Sequence, residues 1–283
     1  MRRLVVAVAL IGFATGAWAA DYETDFPTLR GSTPYIPAPP RHMNWSGFYG
    51  GGQVGYGASL MDFSKSASRI TAFDPNNTFT APFGSVSTWV SLSTDNARAP
   101  TYGGFVGYNW QFDDLILGFE ANYNHSTLLG SATATRCYDA VATNCSAAIT
   151  LGDGNAYNAV VTANAAMRIS DYGTARLRAG WVNDNWLPYA MVGLAVGRVE
   201  ISRYATATGT PVNPPGTGTP FTRTEGTINS PMLAWGYSAG LGVDFLLFPN
   251  VFVRAEYEYV SFFLVSDMRA QIHNGRLGMG LKF

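Results

Sequence analysis

Eight stretches of this chain place an apolar residue at every second position, with polar residues or glycine between, which is the period of a strand buried on one face only. They run over about residues 48–58, 102–112, 115–126, 173–182, 187–199, 233–245, 251–260 and 273–283. In the second, Val106, Tyr108, Trp110 and Phe112 share a face, with Asn109 and Gln111 opposite. In the seventh, Val253, Ala255, Tyr257 and Tyr259 alternate with Arg254, Glu256 and Glu258. Only the fifth is apolar on both faces (Tyr189 and Met191 against Val192, Leu194 and Val196), so alternation leaves its orientation open.

The spacing between stretches carries as much information as the stretches themselves. Connections of a few residues, at Asp113-Asp114, Asn183-Asp184-Asn185 and Pro249-Asn250, follow the second, fourth and sixth stretches. Long ones, over about 59–101, 127–172, 200–231 and 261–272, follow the others. An even number of strands with long and short connections alternating is the pattern of an outer-membrane barrel, whose long loops face outward and whose short turns and termini lie in the periplasm. The fold class expected is therefore all-β: an eight-stranded antiparallel transmembrane up-and-down barrel.

Composition agrees. Charged residues make up 13% of the chain, about half the share usual for soluble domains, while aromatics reach 14%. At the N-terminus, Arg2 and Arg3 precede an uncharged apolar run over 4–14 and then Ala17-Trp18-Ala19. That run is too short to span a bilayer, which takes about 20 apolar residues. It reads as a signal peptide, residues 1–19, with the small residues Ala17 and Ala19 marking a cleavage site before Ala20. Residues 20–44 hold five prolines without periodicity and read as an extended periplasmic segment, leaving 45–283 as the barrel domain. Removing the leader takes the formal net charge from −1 to −3, so no basic nucleic-acid footprint exists. Cys137 and Cys145, close together in an exported chain, read as a disulfide.

The two faces of the alternation differ in kind. One carries Trp110, Tyr123, Trp181, Trp235, Tyr237, Tyr257 and Phe283, the aromatics of lipid-facing girdles. The other carries Glu120, Arg176, Arg178, Asp244, Arg254, Glu256, Glu258, Arg276 and Lys282 among many glycines. A Lys or Arg facing lipid at mid-membrane costs about 2–4 kcal/mol, so the charged face belongs inside, where both signs can pair. An eight-stranded barrel is just wide enough to be filled by its own side chains. A plugged interior is expected, and at most a narrow channel. The competing architecture is a soluble ligand-binding barrel with the faces exchanged.

Trp45-Ser46-Gly47-Phe48-Tyr49, Leu187-Pro188-Tyr189 with Gly193-Leu194-Ala195, Val253-Arg254-Ala255-Glu256-Tyr257 and Arg276-Leu277-Gly278 running to Phe283 resemble a known family. It is the outer-membrane immunogenic protein group of opacity-like surface antigens, often called porin-family β-barrel proteins. The resemblance spans about residues 45–283. It implies an eight-stranded barrel in the outer membrane of a Gram-negative bacterium, lipid around the wall, and a terminal aromatic, Phe283, read by the barrel-assembly machinery. It also implies variable loops open to extracellular or host-surface ligands, and roles in envelope integrity, surface contact and, for some members, haem binding. The long first and second loops and the cysteine pair depart from the pattern, so no ligand or cofactor is carried over.

Other chemistry is weakly supported. Gly50 to Gly55 resembles a phosphate loop only in composition, since it sits within an alternating strand and no Lys follows in place. Glu256 and Glu258 have the look of paired hydrolase carboxylates, but Arg254 on the same face favours ion pairing. His42, His125 and His273 are scattered, which argues against a metal site, and no nucleophile motif accompanies them. His125, Tyr138 and His273 are the candidates for haem ligation near the outer rim. The protein is read as a structural and surface-interaction barrel, not an enzyme.

Overall fold

The computed structural model describes residues 43–66, 91–137, 148–150, 154–212, 218–263 and 267–283. Nine strands occur among them: β1 (Gly47–Asp62), β2 (Thr94–Phe112), β3 (Leu115–Cys137), β4 (Ala148–Thr150), β5 (Ala156–Trp181), β6 (Trp186–Pro211), β7 (Phe221–Phe248), β8 (Val251–Phe262) and β9 (Arg269–Lys282). Each of the eight long strands pairs antiparallel with its neighbours. Pairing of β1 with β9 and of β3 with β5 closes the ring, and short β4 pairs with β5 alone.

The closure is staggered. Stepping between paired residues from Leu60 through Gln271, Ser261, Tyr237, Leu194, Ala175, Ala121 and Val106 returns to β1 at Gly50, ten residues from the start. A shear of this size tilts the strands and leaves an interior that side chains can fill.

Near the three short turns the wall is apolar outside and polar inside. Val54, Leu177, Leu194, Leu241 and Leu277 are each more than 60% exposed, whereas Glu120, Arg176, Asp244 and Glu258 are buried. The fifth stretch, whose orientation alternation left open, turns Tyr189 and Met191 inward and Val192 and Leu194 outward. Asp113 and Asp184 adopt left-handed backbone (φ 52° each), which short polar side chains tolerate in tight turns.

The expected long loops need correction, because much of them is strand. β3 runs on to Cys137, β5 begins at Ala156, β6 reaches Pro211 and β7 begins at Phe221, so these strands extend well beyond what a bilayer requires. In this extension the faces exchange character. Ala159, Val161, Ala163, Ala165, Met167 and Ile169 of β5 point inward and are buried. Outside, Thr135 of β3, Thr162 of β5, Thr206 of β6 and Thr224 of β7 form one row across four strands. Their hydroxyls pair at 3.0 Å (Thr135 with Thr162) and 2.9 Å (Thr206 with Thr224). Ala and Asn are poor strand formers, and Ala against Thr is a weak alternation, so these segments read as loops until neighbouring strands bury the small residues.

Candidate functional site

The lumen holds the one concentration of ionisable side chains among the described residues, and its layers follow from strand register. At the end nearest the short turns an apolar floor is built from Trp45, Phe105, Ile116, Leu187, Leu246 and Phe252. Trp45 precedes β1 and turns into the barrel mouth, where its backbone N–H donates to Gln111 Oε1 (2.7 Å) and its backbone carbonyl accepts from Asn109 Nδ2 (3.2 Å). Gly47 permits that turn. Its φ is +116°, and a Cβ there would lie 2.4 Å from the carbonyl oxygen of Phe283.

Above the floor lies an ionic layer. Arg176 Nη1 donates to Glu256 Oε1 and to Glu258 Oε1, both at 2.9 Å, and Nη2 reaches Glu120. Arg178 Nη2 donates to Asp244 Oδ2 at 2.8 Å. Arg254 donates through Nε to Asp244 Oδ1 and through Nη1 to Glu120 Oε2, each at 2.8 Å. Arg276 Nη1 lies 2.7 Å from Glu258 Oε2, and Nη2 donates to Glu256. Four guanidinium groups thus meet four carboxylates, all eight residues at most 5% exposed, so the layer is formally neutral. Such balance is what allows charges to stay ionised away from water.

Aromatics inside the wall complete the layer, and sequence reasoning missed them. Tyr49 OH donates to Glu120 Oε2 at 2.8 Å and Tyr189 OH to Glu256 Oε2 at 2.9 Å. The Arg178 guanidinium stacks 3.9 Å from the Tyr189 ring and that of Arg254 4.0 Å from the Phe105 ring. The available signal was their parity: Tyr49 shares a face with Gln53, and Phe252 with Arg254.

Further in, amides replace charges. Gln53 Nε2 donates to Asn122 Oδ1 (3.1 Å) and Asn124 Oδ1 (2.6 Å), while Asn274 Nδ2 donates to Tyr172 OH (2.7 Å). The apolar core of the extension, with Met61, Phe63, Leu128, Phe262 and Ile272, lies beyond.

Lys282 must be separated from this network. It stands at the last position of β9 and donates to the carbonyl of Asn44 at the barrel mouth, because the ionic layer lies farther along the strands. The girdle candidates Trp110, Tyr123, Trp181, Trp235, Tyr237, Tyr257 and Phe283 all point outward, each more than 40% exposed. His125 and His273 also face outward, on strands separated by β1 and β2. His125 Nδ1 lies 2.8 Å from Asp171 Oδ1, which also accepts from Tyr123 OH at 2.6 Å. Among the described residues no group of three or more His, Cys, Asp or Glu is placed to hold a metal. Gly50 to Gly55 lie within β1. Cys137 is disulfide-bonded, whereas Cys145, Tyr138, His42, the leader with Ala17, Ala19 and Ala20, and the segment up to residue 42 lie outside the described residues.

A closed antiparallel ring, apolar outside and charged within, defines a membrane β-barrel. Residues 5–283 match the family model described as outer membrane protein beta-barrel domain, and the chain belongs to that family. It is also similar to the 25 kDa outer-membrane immunogenic protein of Brucella ovis, at 22% identity over 280 residues, which are 99% of this chain and 96% of that protein. Among solved structures, Neisserial surface protein A aligns at 13% identity over 84% of this chain and 98% of its own, with a TM-score of 0.36. The attachment invasion locus protein Ail of Yersinia pestis aligns at 14% identity over 84% and 99%, with a TM-score of 0.32. The protein is thus an outer-membrane β-barrel protein of a Gram-negative bacterium.

Proposed function

We propose that this barrel serves the cell envelope as a closed structural element and displays its extended strands for contact at the surface, without conducting solutes or catalysing a reaction. The observation that carries this reading is the filled lumen: an apolar floor, a neutral layer of four arginines and four carboxylates, an amide layer and an apolar upper core follow one another. A pore that passes hydrated solutes needs a wider ring, about 16 strands in general porins. Planar-bilayer recording is the test. The intact protein is expected to give no steady openings. Reproducible unitary steps would refute the closed reading and favour the narrow channel.

The rest of the assignment follows the same logic. Residues 1–19 are the export signal cleaved after Ala19, residues 20–44 lie in the periplasm, and 45–283 insert as the barrel. The start of β1, the end of β9 and the short turns share one end of the ring, which we assign to the periplasm because outer-membrane barrels keep their short turns there and their long connections outside. Exposed Phe283 at the end of β9 suits recognition by the assembly machinery. The outward aromatics form two girdles against lipid, and a Cys137–Cys145 disulfide ties the end of β3. The hydroxyl-rich outer face of the extension is the surface available to extracellular ligands.

A further inference from the structure

The extension has one side along which strand pairing stops. β7 pairs with β8 up to Gly236 opposite Phe262, where Phe263 N–H donates to the carbonyl of Trp235 at 2.8 Å. Beyond that point β7 continues to Phe221, and among the described residues no strand pairs with it on that side. Hydrogen bonding fixes which groups face the opening. Val212 N–H donates to the carbonyl of Ala156, so even-numbered residues of β6 bond β5 and odd-numbered ones bond β7. Register sets Ala205 and Ala207 of β6 against Glu225 and Arg223 of β7. Thr222, Thr224 and Gly226, all exposed, therefore turn their backbone N–H and carbonyl groups to the open side.

An open edge is a template for another strand, and natural proteins usually blunt it. The lower part of this edge is blunted: Pro231 has no N–H to offer, and the register shifts between Ser230 and Thr227. The upper part, Phe221 to Gly226, holds no proline and no lysine, and Thr222 and Thr224 are β-branched. This part is complementary to itself. About a two-fold axis at Thr224, antiparallel pairing sets Thr222 opposite Gly226 of a second copy and Arg223 opposite Glu225, so residues of opposite formal charge stand across from each other on both sides of the axis. The same axis carries the outward row of Thr135, Thr162, Thr206 and Thr224 into the second copy, with both outward faces on one side. A foreign strand would need a matching sequence, whereas a second copy of this chain has it already.

We propose that the β7 edge is a homotypic contact between cells, in which Phe221–Gly226 pairs antiparallel with the same segment of a copy on a facing surface. Height fits this arrangement. From Phe248 at the short-turn end to Thr224, β7 rises about 60 Å at about 3.3 Å per residue and a tilt near 40°, which is about 35 Å past an apolar band of about 25 Å. Antiparallel pairing points the two barrels in opposite directions, as copies in two facing membranes about 70 Å apart would be. About six backbone hydrogen bonds join one pair. That is a weak contact singly, and many such pairs between two surfaces add through effective concentration. The proposal rests on the reading above that the extension stands outside the cell.

The test reconstitutes the full-length mature protein into two populations of phosphatidylcholine vesicles, each with its own fluorophore, and reads their clustering by two-colour coincidence. Vesicles carrying the parent protein are expected to cluster. Arg223→Glu and Glu225→Arg each place like charges opposite one another, so vesicles carrying either variant alone should cluster at least tenfold less. Mixing the two kinds of variant vesicle sets opposite charges across the axis again and should restore the parent level. Thr224→Pro removes an edge N–H and should abolish clustering both in the parent and, added to both charge variants, in the mixture, which separates strand pairing from attraction between charged surfaces. Heat-modifiable gel mobility is expected to be unchanged throughout. Parent vesicles that stay dispersed, a charge variant that clusters like the parent, or a mixture that fails to recover would each overturn the pairing. Orientation is checked separately by labelling Thr206→Cys on intact cells with an impermeant maleimide. Labelling supports the premise; its absence overturns the outward placement of the extension and the contact between cells with it, whereas labelled cells together with dispersed vesicles overturn the pairing alone.

Discussion

Replacing Glu120 by Gln tests the ionic layer where it is most connected. Glu120 accepts from Arg254 at 2.8 Å and from Tyr49 at 2.8 Å, pairs with Arg176, and lies 3.5 Å from Arg178. Glutamine keeps the volume and some of the hydrogen bonding but leaves the buried layer with four positive charges against three negative. Breaking a buried ion pair by removing one partner costs about 3–5 kcal/mol, because the remaining charge is uncompensated. At about 1.4 kcal/mol per tenfold, that lowers the folding equilibrium by two to three and a half powers of ten. The double variant Glu120→Gln, Arg254→Gln restores neutrality, and its cost is expected to fall below the sum of the two singles by at least 1 kcal/mol, within the range typical of coupled neighbours. Urea unfolding in phospholipid vesicles, followed by the heat-modifiable gel shift, measures both. A loss under 1 kcal/mol for Glu120→Gln, with additive singles, would refute the view that charge balance holds the lumen closed.

Two further outcomes probe the other layers. Val192→Lys on the outward face of β6 is expected to cost about 2–4 kcal/mol, since Val192 is 59% exposed and stands about 15 Å from the short-turn end, near the middle of the apolar band. Thr206→Lys, farther along the same strand on the extension, should stay within about 0.5 kcal/mol as an ordinary surface change, and equal costs would contradict the exchange of faces. Trp45→Ala removes the floor's largest side chain, 2% exposed and 6.1 Å ring to ring from Phe252, and is expected to cost about 3–5 kcal/mol in the same unfolding assay; a negligible loss would show that Trp45 does not plug the mouth.

The chain's own alternation determined a good deal. Period two sorts each strand into two faces, and the low charge with abundant aromatics says which face meets lipid. Arg176 and Glu256 were therefore assignable to the interior, and Leu177 and Tyr257 to the exterior, from local pattern alone. Sorting residues by side does not reveal which residues meet. Arg254 and Glu120 lie 134 residues apart and touch because ring closure and its shear bring β8 and β3 to one level across the lumen. The same closure chose the inward face of β6, where both sides were apolar, and turned Trp45 into the mouth through the left-handed Gly47. It also made strands of the Ala- and Thr-rich segments after Ser126 and before Tyr172, whose local preference for extended structure is weak. Their small inward residues gain stability only once four neighbouring strands bury them together, and a linear pattern does not hold that information.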